Sequence, residues 1–323
     1  MNVVSKYRTT PDTKELIKQI TNHIRRIDNS SSTYSAFDEL KKIIRFNAKK
    51  PEVLNTIIEI FTEQSERMTK YKEALKVFNI MGEVLNANLI LVLPKIVTHF
   101  KKRCEDSQYH VAISDSLGIM CYHLFRGAGS IEDKTVQLSS LTNQLLNYLK
   151  HSSKNVQIGI AMCLNKLIKN SPLRAVTGIL SSVIADIIKL IQNPTTKCTL
   201  QLYEVIITLI VSIKLNFEPY VFNLFPILIN SIKNHKESII RKAAINVIYV
   251  LLSFLPLSLK SHKKKLISIL EERKNDKAKE VKDAASETLE KLELCFNEES
   301  LERAVKEEPL NTCKGSYFCL NIL

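Results

Sequence analysis

The 323-residue sequence has no tryptophan, only 7 glycines and only 9 prolines. Sheets joined by tight turns need more glycine and proline than this, so the composition argues against a β-rich fold. No Pro/Gly/Ser-rich linker divides the chain, although it is longer than one compact core usually spans. Leucine, isoleucine, lysine and glutamate are abundant instead. The composition therefore predicts a helical protein built without a single central core.

Motifs that carry catalysis or bind metal ions are also missing. The seven histidines show no His-x-x-x-His spacing and the seven cysteines form no Cys-x-x-Cys pair, which are the spacings typical of zinc sites. No Gly-x-Ser-x-Gly segment occurs, and Gly127-Ala128-Gly129 is not followed by the Gly-Lys-Ser/Thr of a phosphate loop. We therefore expect no enzymatic activity, no cofactor, no metal and no small-molecule substrate.

The sequence has no signal peptide, because Met1 to Thr13 contain no apolar core. Lysine, asparagine or glutamate interrupts the longest apolar stretches, so none is expected to reach the about eighteen residues of a membrane span. The cysteines are scattered and mostly fall inside predicted helices, which favours a reducing environment. These features predict a cytoplasmic protein with no membrane span.

What the sequence does contain is a repeated pair of helix-length apolar patterns, each pair joined by a short polar turn. The last four turns centre near Lys154, Pro194, Lys236 and Lys277, at spacings of 40, 42 and 41 residues. A period of about 40 to 47 residues is typical of HEAT and armadillo repeats, which stack so that each repeat buries its apolar face against its neighbours. We therefore predict an all-α fold, an α-solenoid of about seven HEAT/armadillo-like helical hairpins.

Residues 12–296 are assigned to this solenoid, residues 1–11 to an N-terminal extension and residues 297–323 to a polar, irregular C-terminal tail. The fifth pair is nearly apolar throughout, so we expect it at the centre of the stack. Small residues in the second helices are expected to let helices approach closely: Gly118, Gly159, Ala161, Ala243, Ala244, Ala284 and Ala285. The predicted helices cover residues 12–28 and 33–46, 52–62 and 67–85, two helices around a turn at 105–107, 136–150 and 155–169, 176–191 and 196–213, 219–233 and 238–254, and 259–273 and 277–295.

Basic residues outnumber acidic ones by 46 to 33, which gives a net charge of +13. Such a charge predicts an acidic partner, for example tubulin, actin, nucleic acid or an anionic membrane, and does not choose among them. In stacked hairpins the turns lie along one edge, so basic residues in successive turns would be neighbours about 10 Å apart. We predict a basic strip of Lys101, Lys102, Arg103, Lys154, Lys197, Lys236, Lys277 and Lys279.

An alternative explanation stays open for the turn lysines, and another for a second group of basic residues. Cations near helix C-termini are favoured by the helix dipole, which would explain turn lysines without any partner. A separate run, Lys263-Lys264-Lys265, is typical of a solvated helix face, and the alternative is a nuclear-import signal.

Several segments occur in an order and spacing that match a known family. They are Thr33-Tyr34 with Leu40, Asn155-Val156-Gln157-Ile158-Gly159 with Ala161 and Cys163-Leu164, Arg241-Lys242-Ala243-Ala244, and Asp276-Lys277 with Lys279, Val281 and Lys282-Asp283. Over about residues 12–296 the sequence resembles the N-terminal, TOG-like HEAT domain of the Tortifolia/Spiral family of plant microtubule-associated proteins. The chain departs from the family at Ala112 and Lys282, where arginine is usual. Members commonly continue into a basic linker and a further domain, whereas this sequence ends at Leu323.

The resemblance implies a non-enzymatic protein that binds microtubules and influences their organisation or dynamics. The basic strip would contact the acidic surface of tubulin, with other acidic protein surfaces as further partners and no specific nucleic acid. The implied location is the cytoplasm and its microtubule cytoskeleton. The alternative is a HEAT-repeat adaptor that holds a peptide or protein in its concave groove, as importins do, or an actin-associated protein.

Overall fold

The computed structural model describes residues 11–29, 34–68, 70–127 and 129–296. These ranges contain fourteen α-helices and no strand, so the predicted all-α class is confirmed. The tail at 297–323 and nearly all of the N-terminal extension lie outside the described residues, and that division of the chain stays a prediction. The helices are α1 (Pro11–Asn29), α2 (Tyr34–Asn47), α3 (Pro51–Ser65), α4 (Tyr71–Leu85), α5 (Leu93–Arg103), α6 (His110–Arg126), α7 (Ile131–Tyr148), α8 (Lys154–Lys169), α9 (Leu173–Gln192), α10 (Thr199–Ile213), α11 (Glu218–Asn234), α12 (Ser238–Phe254), α13 (Lys263–Arg273) and α14 (Lys279–Phe296).

The helices form two layers of a stack. Each odd-numbered helix packs against the next odd-numbered one, and each even-numbered helix packs against the next even-numbered one. Consecutive helices form hairpins, of which there are seven in the described ranges. Contacts between the even-numbered helices are mostly the more extensive, so this layer is the tighter of the two. The predicted α-solenoid of seven hairpins is confirmed.

The stack has two edges where the chain reverses direction. The turn edge consists of the connections within hairpins, of which the first lies outside the described residues and the others are 66–68 with 70, 104–109, 149–153, 193–198, 235–237 and 274–278. The connector edge consists of the connections between hairpins, and three of these contain 3₁₀ helices, Asn86–Leu91, Lys214–Phe217 and Pro256–His262. The two edges lie at opposite ends of the helices.

The fifth hairpin lies inside the stack as its apolar sequence predicts. α10 packs against α9 within its hairpin and against α8 and α12 in its layer. Its side chains Leu202, Val205, Ile206 and Ile210 are fully buried. A helix that is covered on several sides exposes little surface to water, which explains why this segment is apolar nearly all round.

Glycines in the even-numbered helices sit where neighbouring elements approach closely. A methyl group added at Gly159 of α8 would lie 2.6 Å from Sγ of Cys104 and 2.9 Å from Cδ2 of His110. One added at Gly118 of α6 would lie 3.1 Å from Nδ2 of Asn170. The predicted role of these small residues in close packing is confirmed at both positions.

The expectation that the apolar stretches are too short to cross a membrane is wrong by length and composition. In the described ranges three helical stretches meet both requirements, Tyr71–Leu91, Leu173–Gln192 and Thr199–Asn234, and the bent pair Ser238–Phe254 with Pro256–Arg273 would be a fourth. The polar residues between the apolar positions do not break these helices, which is why the sequence pattern understates their length. In the structure their buried apolar faces pack within the two-layer stack.

Candidate functional site

The turns of the turn edge are linked to one another at separations near the repeat length. The backbone N–H of Lys70 donates a hydrogen bond to Oδ1 of Asp28 (3.0 Å), and Oγ of Ser238 donates to Oε1 of Glu280 (2.9 Å). Each of these pairs is 42 residues apart. Turns one repeat apart are therefore neighbours, which is the geometry that a basic strip requires.

Six of the eight predicted strip residues have exposed side chains. Lys197, Lys236 and Lys277 lie on the turn edge, and Lys102, Lys154 and Lys279 lie at helix ends next to it. Lys102 lies in the last turn of α5, with its Nζ 3.5 Å from Oε1 of Glu66, an exposed ion pair that offsets part of its charge. The other five make no ion pair within the described ranges. Their ammonium groups remain available to an acidic partner.

The remaining two predicted strip residues are half-buried and pack on aromatic rings. The guanidinium carbon of Arg103 lies 4.3 Å from the ring centre of Tyr71 and 4.9 Å from that of Tyr109. Nζ of Lys101 lies 5.2 Å from the ring centre of Tyr148. Through these cation–π contacts Arg103 links the third turn to the second, and Lys101 links it to the fourth. Both side chains therefore contribute more to packing than to an exposed surface.

A buried glutamine joins the fourth turn to the fifth. Nε2 of Gln157 donates to the carbonyl of His151 (2.7 Å), and its Oε1 accepts from the backbone N–H of Lys197 (2.6 Å). The side chain is 3% exposed, so these bonds replace water that it has lost. Gln157 thereby fixes Lys197 relative to the turn that carries Lys154.

The third turn is attached to the fourth by Glu105. Its carboxylate accepts from Oγ of Ser153 (2.6 Å), and its carbonyl accepts from Nδ2 of Asn155 (2.8 Å). Sequence reasoning did not assign these bracing residues. The signal was present, because Asn155 and Gln157 both belong to the segment that carries the family resemblance.

A bidentate ion pair joins the sixth turn to the seventh. Nη2 and Nε of Arg241 donate to the two carboxylate oxygens of Asp276 at 2.7 and 2.9 Å. Nη1 of Arg241 also donates to the carbonyls of His235 and Lys236 at 2.8 and 2.9 Å. The hydrogen bond from Arg241 lowers the pKa of Asp276 below its ordinary value. This arrangement holds the backbone beneath Lys236 and Lys277.

A buried polar cluster near the second and third turns contains a serine, a histidine and a carboxylate in the sequence of contacts found in a hydrolase triad. Oγ of Ser65 lies 3.1 Å from Nε2 of His99, and Nδ1 of His99 lies 3.7 Å from Oε1 of Glu66. Ser65 is completely buried and donates to the carbonyl of Thr62 (3.0 Å). Burial lowers the pKa of His99 to about 4, which makes it a weak base. The cluster gives Ser65 and Nε2 of His99 a hydrogen-bond partner and leaves Nδ1 of His99 without one. It offers a substrate no access to Ser65, which is completely buried.

In the described ranges, no three His, Cys, Asp or Glu side chains form a group that could hold a metal ion. The five cysteines in these ranges are free thiols. Burial raises the pKa of the Cys121 thiol well above its ordinary value and that of Cys198 to about 12. Such thiols stay protonated and behave as small apolar side chains.

The two-layer stack of hairpins, with its turns in register, is that of an α-solenoid of the HEAT-repeat class. Within that class, residues 14–293 match the family described as TORTIFOLIA1 N-terminal. The chain belongs to this family, and the resemblance seen in the sequence is confirmed. A comparison with curated protein sequences gives no match.

Solved structures of importins share the fold. Importin beta crystallised from polyethylene glycol superposes with a TM-score of 0.57 at 13% identity, covering 91% of this chain and 39% of that protein. Kap121p bound to Nup53p gives a TM-score of 0.51 at 17% identity, covering 91% of this chain and 30% of Kap121p. This chain thus spans well under half the length of either protein, and the likeness concerns the fold alone.

Proposed function

We propose that this protein is a non-enzymatic microtubule-binding protein of the cytoplasmic cytoskeleton, which contacts the acidic surface of tubulin through its turn edge. The observation that carries the proposal is the row of exposed lysines held in register by buried braces. Membership of the TORTIFOLIA1 family and the fold, which is typical of binding proteins and scaffolds, support the same function.

The energetics of such an edge require several lysines to act together. An exposed ion pair contributes about 0.2 to 1 kcal/mol, so no single contact suffices. The braces reduce the entropy lost when the turns are ordered against a partner, because the turns are already fixed. The attraction between exposed charges also weakens with added salt. Binding should therefore be saturable and steeply salt-dependent.

Co-sedimentation with taxol-stabilised microtubules across a salt series tests the proposal. The test variant replaces Lys154, Lys197, Lys236 and Lys277 by glutamate. The matched control replaces Lys169, Arg174, Lys260 and Lys264, which are exposed on or beside the connector edge, by glutamate. Each replacement lowers the charge by two, so both variants fall from +13 to +5. Circular dichroism verifies that both remain helical.

We expect the turn-edge variant to bind microtubules about tenfold more weakly or worse, and the connector-edge variant to bind nearly as the wild type does. Equal losses in both variants would show that only net charge matters and would refute the proposed site. Subtilisin removal of the acidic tubulin tails then separates binding to the tails from binding to the lattice body. Actin filaments run in parallel measure whether the edge prefers tubulin to another acidic polymer.

A second candidate function is that of an adaptor holding a peptide against the even-numbered layer, and Glu204 favours it. This residue lies on the outward face of α10, in helical line with Leu200, Ile207 and Val211. Its carboxylate is half-buried, has no ion-pair partner in the described ranges, and has its pKa raised by burial. A partner carrying a basic side chain flanked by apolar ones would neutralise it. Capture of a Leu-Arg-Leu-containing peptide that resists salt and is abolished by Glu204→Gln would support this function over the first.

A further inference from the structure

The connector edge carries a row of exposed leucines at the repeat spacing. Leu173, Leu215 and Leu257 follow one another at intervals of 42 residues, and they are 51%, 71% and 66% exposed. Single exposed leucines are common on soluble proteins and need no explanation. Three at the same position of successive repeats form a regular surface feature.

Leu215 and Leu257 lie in 3₁₀ connections, and Leu173 is the first residue of α9. Each leucine is followed two positions later by a buried residue that anchors the backbone beside it. These anchors are Ala175, Phe217 and Leu259, and all three are fully buried. Neighbouring connections also touch, since Oγ of Ser258 donates to Oε1 of Glu218 (3.0 Å). With neighbouring repeats about 10 Å apart, the three leucines form a line along this edge.

The segments that carry the leucines are rich in positive charge. Residues 169–174, 214–219 and 256–265 contain one acidic side chain, Glu218, and its carboxylate already bonds Ser258. The exposed cations in these segments are Lys169, Arg174, Lys214, Lys260, Lys264 and Lys265. Apolar tips flanked by lysine and arginine are the composition of surfaces that bind the interface of anionic membranes.

We propose that the connector edge of the C-terminal half is a peripheral docking surface for an anionic lipid bilayer. Leu173, Leu215 and Leu257 enter the boundary between headgroups and acyl chains, and the flanking cations meet the lipid phosphates and carboxylates. A bilayer is favoured over a peptide because exposed leucines recur in three successive repeats with cations beside them in the sequence, a composition that suits the lipid interface. The proposal concerns the edge opposite the tubulin-binding strip, so neither depends on the other.

Flotation with vesicles of phosphatidylcholine alone, or containing about one-third phosphatidylserine, tests the proposal. The test variant changes all three leucines to serine and leaves the charge unaltered. The matched control changes the exposed apolar residues Tyr34, Val111 and Ile239, which lie at the turn-edge ends of their helices, to serine. We expect binding to anionic vesicles only, weakened about tenfold or more in the leucine variant and little changed in the control.

The absence of tryptophan allows a direct measure of insertion. Leu257→Trp would make the only indole in the chain, and we expect its fluorescence to shift to shorter wavelength with anionic vesicles. Ile239→Trp on the opposite edge is the control and should not shift. An unshifted Leu257→Trp, or vesicle binding that survives loss of the leucines, overturns the proposal.

Charge variants and a competing ligand complete the test. The connector-edge variant with four glutamates should lose vesicle binding more than the turn-edge variant of equal charge. If an acidic amphipathic Leu/Glu peptide binds through the leucines while vesicles do not, the edge is a protein interface and the proposal is wrong. Microtubule pelleting of the leucine variant should be unaffected, which keeps the two binding functions separable.

Discussion

At the residue scale, the ion pair between Arg241 and Asp276 is the most consequential contact of the turn edge. Both side chains are nearly buried, at 12% and 3% exposed. We expect Asp276→Asn to destabilise the protein by about 2 to 3 kcal/mol at pH 7, because it leaves the Arg241 guanidinium without its bidentate partner. Chemical denaturation measures this loss, and Asp283→Asn, an exposed change in the same hairpin, is the control.

The same substitution should show a defined pH dependence. The pKa of Asp276 is lower in the folded protein than its ordinary value, which is about 3.9 in unfolded chains. The stabilisation is therefore complete above about pH 4 and is lost as the pH falls through the folded-state pKa. The difference in stability between wild type and Asp276→Asn should shrink below about pH 4. A difference that stays constant down to pH 2 would contradict this account.

Gly159 is a second residue at which the surrounding atoms predict the effect of a substitution. A methyl group there would meet Sγ and Cβ of Cys104 at 2.6 and 2.9 Å, and both atoms are buried. Overpacking typically costs about 1 to 3 kcal/mol, which exceeds the about 1 kcal/mol of helix propensity that alanine offers over glycine. Gly159→Ala should therefore lower the melting temperature. Gly118→Ala should be milder, since its nearest neighbour is the flexible end of Asn170.

At the element scale, helix α7 begins with a capping box. Oγ of Ser130 accepts from the backbone N–H of Asp133 (3.0 Å), and the Asp133 carboxylate accepts from the backbone N–H of Ser130 (3.3 Å). Ser130→Ala should destabilise the protein by about 1 kcal/mol. Hydrogen exchange should show the loss first in the amides of the initial turn of α7, with α9 unchanged. Uniform loosening of both helices would contradict a local capping role.

The elements also show how far sequence reasoning reaches. Apolar periodicity predicted the seven hairpins, because a helix covered on one face must repeat apolar residues every three or four positions. It placed the start of α7 at Val136, five residues late, since Val136 is itself 70% exposed and the cap at Ser130 lies outside the apolar pattern. It placed the start of α13 at residue 259, where the chain is still in the 3₁₀ helix Pro256–His262.

Only part of the candidate site could be predicted from the sequence. The exposed turn lysines can be predicted from the repeat length alone, because a constant repeat length places equivalent residues of successive turns on the same edge. The position of Arg103 does not, since its stacking on Tyr71 depends on how one hairpin rotates against the previous one. The braces Gln157 and Asp276 stood in segments that matched the family, but their role is a tertiary contact that the pattern could not indicate.

At the scale of the whole molecule, stability is expected to be graded along the stack. Each hairpin packs mainly on its neighbours, so stability approximates a sum of repeat and interface contributions. The hairpins around α8 and α10 have neighbours on both sides, whereas α1 with α2 and α13 with α14 have a described neighbour on one side only. Hydrogen exchange by mass spectrometry should find the slowest amides in α8 and α10. Equal protection along the chain would indicate a single cooperative unit instead.

The stack of hairpins also has a mechanical consequence. Because each hairpin packs mainly on its neighbours, small rotations at successive interfaces would add up along the stack. Bending the stack would change the spacing of the lysines on one edge and of the leucines on the other edge at the same time. A partner that spreads one edge on binding would therefore change the spacing that the other edge presents, which couples the two edges mechanically.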